Sequence, residues 1–530
     1  MTQDMLIKCI EANTPFTIDL SLTTIVLPDS PIISITPIIE ALNNNDTVTC
    51  LTTVARNLEW NPQELNELVK CLSESNRGIV QIYGGYDFSA DITNALVKIL
   101  KANPRIKTFG YQNRTTASFI SMDGFMNFWG NMAYYNFEEL IISHTHCWTS
   151  HHYDLFMDSL KFNRSIKSLK MGSEINIEAA AFAKLCDMLI LKKMTEFWCW
   201  SHLADQANCD ALKRVLQANH LQKLKVHDRP IYDHNQRPPI NLSVISDELT
   251  TNISITDLTF NSVPIDWEIL AKILNGNKNI TRLEIRDTNV KLQQIFLLDL
   301  GSNTTLTDLT LHSCYSLKFD LLSDLWRNQT LRKLQFDCSY GAPYAESALQ
   351  KYLESNHSLT DLYLPGILTK EALVALGDGL RVNRGLQKLT IKIRRIDYKT
   401  FAHFIEQLRH NTSLTELNAV KVRDIYLDDS PLNGKEADDF FFDLLKTNKT
   451  LRFIEGASEY PYLEERLKEN RETQNRAIRN TCMTIKMIVA RPNLFFLPIE
   501  IWLRIFSFVS FPFSSIDFAK FAFNGSRMLQ

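Results

Sequence analysis

Apolar and polar residues recur along this chain in one pattern: an asparagine, two residues, an aliphatic, two residues, an apolar, one residue and a second apolar. It runs as "NISITDLTF" from Asn252, "NKNITRLEI" from Asn277, "NTTLTDLTL" from Asn303, "NQTLRKLQF" from Asn328, "NHSLTDLYL" from Asn356, "NRGLQKLTI" from Asn383, "NTSLTELNA" from Asn411 and "NKTLRFIEG" from Asn448. Successive starts lie 25, 26, 25, 28, 27, 28 and 37 residues apart, which is the spacing of a structural repeat. Earlier copies begin at Asn103, Asn163 and, one residue shorter, at Asn219, with weaker ones near Leu22, Val48, Phe137 and Met194. The whole makes about fifteen units.

Each unit has two halves. The paired apolar positions alternate with period two, so in "LTDLTL" Leu309 and Leu311 point inward while Asp308, Thr310 and His312 point outward, which predicts a short strand. Ahead of the asparagine the apolar period is helical, as in "WEILAKILNGN" and "LVALGDGLRVN". The asparagine is expected to end each helix in the left-handed conformation it tolerates, and the Ser or Thr after it to bond nearby backbone as the chain turns into the strand. Strand, helix and return to a parallel strand make a right-handed coil. The predicted fold is therefore an α/β solenoid, with a parallel sheet on its concave side and helices on its convex side. Residues 1–20 read as an N-terminal cap, 21–456 as the solenoid, 457–492 as a helical linker and 493–530 as a C-terminal all-α segment. Two stretches, "HDRPIYDHNQRPPI" at 227–240 and "RDIYLDDSPLNGKEA" at 423–437, break the rhythm and read as protruding loops.

The "N-x-S-L-x-x-L-x-L" junction resembles the leucine-rich repeat family, and within it the ribonuclease-inhibitor-like subfamily with its long helical units. The likeness covers about residues 20–456. It departs from the family three residues after the L-x-L, where an Asn or Cys is usual: Cys314 stands there once, but Val263, Thr288 and Ser339 stand there elsewhere.

Composition narrows the chemistry. Among 530 residues 45% are hydrophobic, enough for a large core, while a net charge of -3 and a pI near 6.5 give no reason to expect nucleic acid as a partner. The start, "MTQDMLIKCIEANTPF", has no basic stretch followed by an apolar run, and the ten cysteines are scattered singly, so the chain reads as cytoplasmic and free of disulfides. Without a secretory signal, the recurrent N-x-S/T triplets read as turn chemistry rather than glycosylation sites. No Walker loop, HExxH, G-x-S-x-G or dinucleotide-binding glycine pattern is present, and neither enzymatic activity nor a cofactor is expected. "SHTHCWTSHH" gathers His144, His146, Cys147, His151 and His152, but at no recognised zinc spacing, so a structural role is favoured over metal.

A solenoid of this kind supplies a binding surface. The outward residues Asp257, Arg282, Asp308, Lys333, Asp361, Lys388 and Glu416 alternate in sign and are expected to neutralise one another across neighbouring strands. The middle differs: Trp198 and Trp200 in "TEFWCW" are followed one unit later by Lys223, Lys225 and His227, and tryptophan beside cations is a common anchor for a protein partner. Irregular packing in a degenerate repeat is the competing explanation.

The last segment leaves the repeat. A polar helix over 462–490 turns apolar and stops at Pro492, and "LPIEIWLRIFSFVS" follows at 497–510. A membrane span is disfavoured, because Glu500 and Arg504 would each cost roughly 2.5 to 3.5 kcal/mol at the bilayer centre; contact with a membrane surface is the weaker alternative. The segment resembles the first helix of the F-box family at Leu497, Pro498, Glu500, Ile501, Ile505, Phe506 and Val509, loosely continued by Asp517, Phe518 and Phe521. That resemblance implies an adaptor that binds the Skp1 subunit of a cullin ubiquitin ligase, with the repeats selecting the substrate. The alternative is a hydrophobic cap on the end of the solenoid, which makes the chain a scaffold or inhibitor-like repeat protein. Irregular repeats, abundant Asn and Lys and an F-box-like tail are also similar to secreted effectors of intracellular bacteria, which would place the chain in a host cell's cytoplasm.

Overall fold

The computed structural model describes residues 90–112, 121–143, 148–172, 177–200, 205–227, 242–262, 267–286, 300–312, 325–337, 346–392, 396–420, 434–454 and 463–476, with shorter pieces at 18–19, 50–53, 66–67, 69–71, 81–84, 425–427 and 430–431. They fall into two compact units, residues 1–299 with 303–316, and residues 317–530 with 300–302.

In the first unit the strands are β1 (Ile18–Asp19), β2 (Cys50–Thr53), β3 (Gln81–Gly84), β4 (Thr108–Gln112), β5 (Glu139–Ser143), β6 (Ser168–Met171), β7 (Glu196–Trp200), β8 (Lys223–His227), β9 (Asp257–Asn261), β10 (Arg282–Arg286) and β11 (Asp308–His312). Each pairs in parallel with the next. Between them run α1 (Ala90–Ala102), α2 (Met122–Gly130), α3 (Ser150–Leu160), α4 (Ala179–Lys192), α5 (Gln206–Gln217), α6 (Ser246–Thr251) and α7 (Trp267–Gly276). The second unit carries β12 (Lys333–Asp337), α8 (Glu346–Ser355), β13 (Asp361–Ile367), α9 (Lys370–Val382), β14 (Lys388–Lys392), β15 (Ile396–Asp397), α10 (Tyr398–His410), β16 (Glu416–Val420), β17 (Ile425–Leu427), β18 (Ser430–Pro431), α11 (Gly434–Thr447), β19 (Phe453–Ile454) and α12, over residues 463–476. Its parallel sheet has the order β12-β13-β14-β16-β19.

This is the α/β solenoid of leucine-rich repeats, and the periodicities explain it. Paired apolar strand residues are buried, as Leu258 with Phe260, Leu283 with Ile285 and Leu309 with Leu311 are, and so are helix residues such as Leu270, Ile273 and Leu274 at one-turn spacing. Burying each such side chain contributes about 1.5 to 3 kcal/mol.

The repeating asparagine works differently from the expectation. Asn252, Asn383 and Asn411 have φ of -64°, -64° and -77° with ψ of 131°, 135° and 132°, so they are extended and not left-handed. Among the described non-glycine residues, positive φ occurs at Lys193, Ser262 and Asn219, so the expected left-handed asparagine is found at the start of the one-residue-shorter copy and not at these three. The asparagine instead uses its side chain. In Asn383 the amide nitrogen donates to the carbonyls of Leu353 (2.7 Å) and Asn356 (2.8 Å), one unit back. Its Oδ1 accepts from the backbone N–H groups of Gly385 (3.0 Å) and Leu386 (2.8 Å), just ahead.

The same set recurs at Asn277 on Leu249 and Asn252, at Asn411 on Leu380 and Asn383, and at Asn448 on Leu408 and Asn411. Each asparagine thus satisfies carbonyls that the previous helix leaves without partners and ties its own strand entry to the unit before it. A ladder of side-chain amides forms through this residue. Seven of the N-x-S/T asparagines, from Asn163 to Asn448, are at most 7% exposed, with their amides engaged in the ladder, which leaves no accessible nitrogen for a glycan.

The Ser or Thr two residues on adds a hydroxyl to the set: Ser254 donates to the Leu221 carbonyl (2.7 Å) and bonds Asn252 Oδ1 (3.1 Å). Gly385 replaces it in one copy because the backbone approaches too closely there; a Cβ would stand 2.2 Å from the His357 carbonyl oxygen.

Three details qualify the sequence reading. The segment 423–437 is not simply a loop, since β17 and β18 form an antiparallel pair that β15 extends to three strands. Helix α12, in the stretch read as a linker, docks on the last strand turn, with Asn470 donating to the Asn448 (3.2 Å) and Leu451 (2.8 Å) carbonyls. The F-box-like residues Leu497, Pro498, Ile501, Ile505, Phe506 and Val509 lie outside the described residues, as do the loop 228–240 and nearly all of the proposed N-terminal cap.

Candidate functional site

The strand register sets which side chains meet on the polar face of the sheet, the face called concave above. In the first unit the central outward position runs Ile141, Lys170, Trp198, Lys225, Thr259 and Glu284 on successive strands. Neighbouring strands lie about 4.8 Å apart, close enough for these side chains to touch. Lys170 and Lys225 do so from either side of Trp198 in the sheet, their Nζ atoms 4.5 Å and 4.3 Å from the ring centroid. Cation–π contacts at partly desolvated sites are worth about 0.5 to 2 kcal/mol each.

A second tier fixes the indole. Its Nε1 donates to Glu196 Oε1 (2.9 Å), and Ser168 Oγ donates to Glu196 Oε2 (3.0 Å). Lys170 is paired with Glu139 and, at 3.7 Å, with Glu196. Trp198 is therefore a half-buried, oriented ring rather than a fully exposed one. Trp200 ends the same strand with its backbone in register with His227.

On β8 the three predicted residues share the outward face but differ in access. Lys223 is exposed, Lys225 is half-buried and His227 is buried. The His227 ring lies 6.1 Å from that of Trp198 at 25°, and its Nδ1 is 2.9 Å from Asn261 Nδ2. The amide is the donor there, so Nδ1 accepts and the ring is held neutral. Burial, with Lys225 and Arg286 nearby, pushes the His227 pKa down to about 3. In the unfolded chain it titrates near 6.5, so between these values the unfolded state binds the extra proton. Stability thus falls as pH drops from about 6.5 toward 3. Urea titrations at pH 7 and pH 4 should show a smaller acid loss for His227→Gln than for the parent; equal losses would remove His227 from the acid response.

Beyond β9 the face becomes a charged knot. Glu284 is buried, yet Arg286 and Arg282 both pair with it, Arg282 at 3.2 Å. Burial alone would raise its pKa; the hydrogen bond from Arg286 and the charges of Arg286, Lys225 and Arg282 outweigh it and hold the carboxylate below its usual range. Burial also raises Asp257, against Arg282 at 3.8 Å. The expected self-neutralising ladder is present as ion pairs between Asp257 and Arg282 and between Lys388 and Glu416 (3.0 Å), with Asp308 in register beside Arg282 and Lys333 beside Asp361.

Sequence reasoning picked out Trp198 and Lys225 but missed Lys170, Glu139, Glu196 and Glu284. The signal was available: each sits at an outward strand position that the repeat alignment puts in line with Trp198 or one step from it.

In the His-rich stretch, His152 is consumed by a capping box: Thr149 N–H donates to His152 Nδ1 at 3.1 Å, while His151 is exposed on α3. His144, His146 and Cys147 lie outside the described residues. Among the described residues no three His, Cys, Asp or Glu side chains converge for a metal, and no helix is long and apolar enough to cross a membrane.

No protein-family model matches the chain, and no curated protein matches it either. Solved structures that it resembles include actin-binding site 2 of leiomodin-1, at 17% identity and a TM-score of 0.26 over 36% of this chain and 98% of that one. The Rad7–Elc1 complex from yeast matches at 14% identity and a TM-score of 0.38 over 82% and 88%, respectively. The leucine-rich repeat protein LegL7 of Legionella pneumophila matches at 13% and 0.34 over 71% and 91%. Likenesses of that size assign neither partner nor activity.

Proposed function

We propose that this chain is a non-enzymatic interaction protein that holds a protein target on the polar face of its first unit, around Trp198, Lys223 and Lys225. The observation that carries this reading is the oriented indole between two lysines, on a face whose neighbouring carboxylates are paired internally. A large aromatic with a fixed rotamer loses little entropy on binding, which is why Trp and its cationic neighbours dominate interface energies. In affinity capture from cells, Trp198→Ala is expected to lose its specific protein partners at least tenfold while folding like the parent. Unchanged capture would refute the reading.

A second function for the same chain is favoured by "LPIEIWLRIFSFV" at 497–509: recruitment of Skp1, which makes the chain a substrate adaptor of a cullin-type ubiquitin ligase, working in the cytoplasm of a host cell if it is an exported effector. Purified Skp1 should bind the full chain and not a folded variant with polar residues at Ile501, Ile505 and Phe506. Equal binding, or none, leaves the segment as a cap and the chain as a scaffold.

A further inference from the structure

This inference rests on the sheet face being a protein-binding surface and goes on to name the chemistry of its partner. The carboxylates around Trp198 are all taken by groups of the same face: Glu139 by Lys170, Glu196 by Ser168 and the indole, Asp257 by Arg282, and Glu284 by Arg282 and Arg286. The lysines of β8 are not matched in this way. Lys225 lays its ammonium over the Trp198 ring but has no hydrogen-bond acceptor or ion-pair partner among the described residues, and exposed Lys223, two residues earlier on the same face, has none either.

Two lysines whose backbones lie about 7 Å apart along one strand face of the sheet, one of them over an aromatic ring, therefore stand in a patch whose own acids are spent. A half-buried cation without an acceptor is costly, and an anionic group brought from outside would relieve that cost. Burial is the main cause that depresses the Lys225 pKa, with Arg286 and Lys170 adding to it, and the carboxylates of Glu284 and Asp257, themselves paired with arginines, only partly oppose it. We propose that the β7–β8 face binds an acidic peptide segment of its protein partner, with a carboxylate received by Lys225 and Lys223 and an adjacent apolar side chain packed on Trp198.

The test is to pan a phage-displayed random dodecapeptide library on three folded full-length chains: the parent, the double charge swap Lys223→Glu with Lys225→Glu, and Trp198→Ala. The parent should select peptides at least threefold enriched in Asp and Glu, and the swapped chain peptides enriched in Lys and Arg. A synthetic acidic peptide from the parent selection should lose about tenfold or more in affinity on the swapped chain and weaken in 0.5 M salt, as a steered ionic contact does. Selection of no peptide, or of the same peptides by parent and swap, overturns the proposal. Peptides without acidic bias that Trp198→Ala no longer holds overturn the acidic partner and leave the protein-binding surface standing. Peptides that Trp198→Ala holds as well as the parent overturn both.

Discussion

Asn383→Ala is expected to destabilise the second unit by about 3 to 5 kcal/mol, far more than removal of a surface amide. The side chain makes four hydrogen bonds, two given to carbonyls of the preceding unit and two accepted from its own strand entry. Alanine would leave these backbone groups buried and unpaired, at about 1 to 3 kcal/mol each before relaxation and entering water reduce the sum. Asn383→Asp is predicted to be about as harmful. It keeps the acceptor but turns an oxygen toward two carbonyl oxygens. The exposed Asn275 is the control, and Asn275→Ala should stay within about 0.5 kcal/mol of the parent. Urea unfolding followed by circular dichroism checks all three. Because repeats couple chiefly to their neighbours, the loss should show as an early transition of the second unit rather than a uniform shift. If Asn383→Ala unfolds with the parent, the amide ladder is not what holds successive units together.

The second large effect lies in the first unit. Trp129 on α2 is fully buried and packs against Phe125, Phe128, Trp148 and Phe156, with centroid distances of 5.9, 5.0, 6.0 and 4.8 Å. Trp129→Ala should cost about 3 to 5 kcal/mol, the range for emptying a large aromatic site. The surrounding rings come from α2, from α3 and from the turn before α3, so collapse into the space would have to move a helix. Trp129→Phe, which keeps most of the volume, should recover more than half of that loss. Thermal and urea denaturation read both variants; a mild phenotype for the alanine would mean that the cluster repacks freely.

Much of this architecture is legible in the sequence because it depends on two periods. Alternation in "LTDLTL" and helical spacing in "WEILAKILNGN" correspond to β11 and α7, since a residue every second or every third to fourth position is forced onto one face. The asparagine was visible as a repeated letter but its role was not. Left-handed turns and extended ladder residues both favour Asn, and which one applies depends on carbonyls of the previous unit, 25 to 31 residues away in Asn277, Asn383 and Asn411. Short β17 and β18 escaped for a similar reason: three-residue and two-residue strands carry too few alternations to stand out from a loop.

The site was legible in part. Trp198, Lys223 and Lys225 stand out by residue type, but Glu139 and Glu196, which fix Lys170 and the indole, are ordinary charged letters until the register aligns them. His227 was misjudged as accessible because outward pointing does not guarantee exposure; the Trp198 ring beside it and the Asn261 amide help enclose it.

The most direct measurement is photo-crosslinking in cells, with a benzophenone amino acid placed in turn at Lys223 on the sheet face and at Lys184 on the exposed side of α4. A target held on the face gives protein crosslinks from position 223 that disappear when Trp198→Ala is added, and few from position 184. Crosslinks from 184 with none from 223, or crosslinks from 223 that persist without Trp198, would contradict the account.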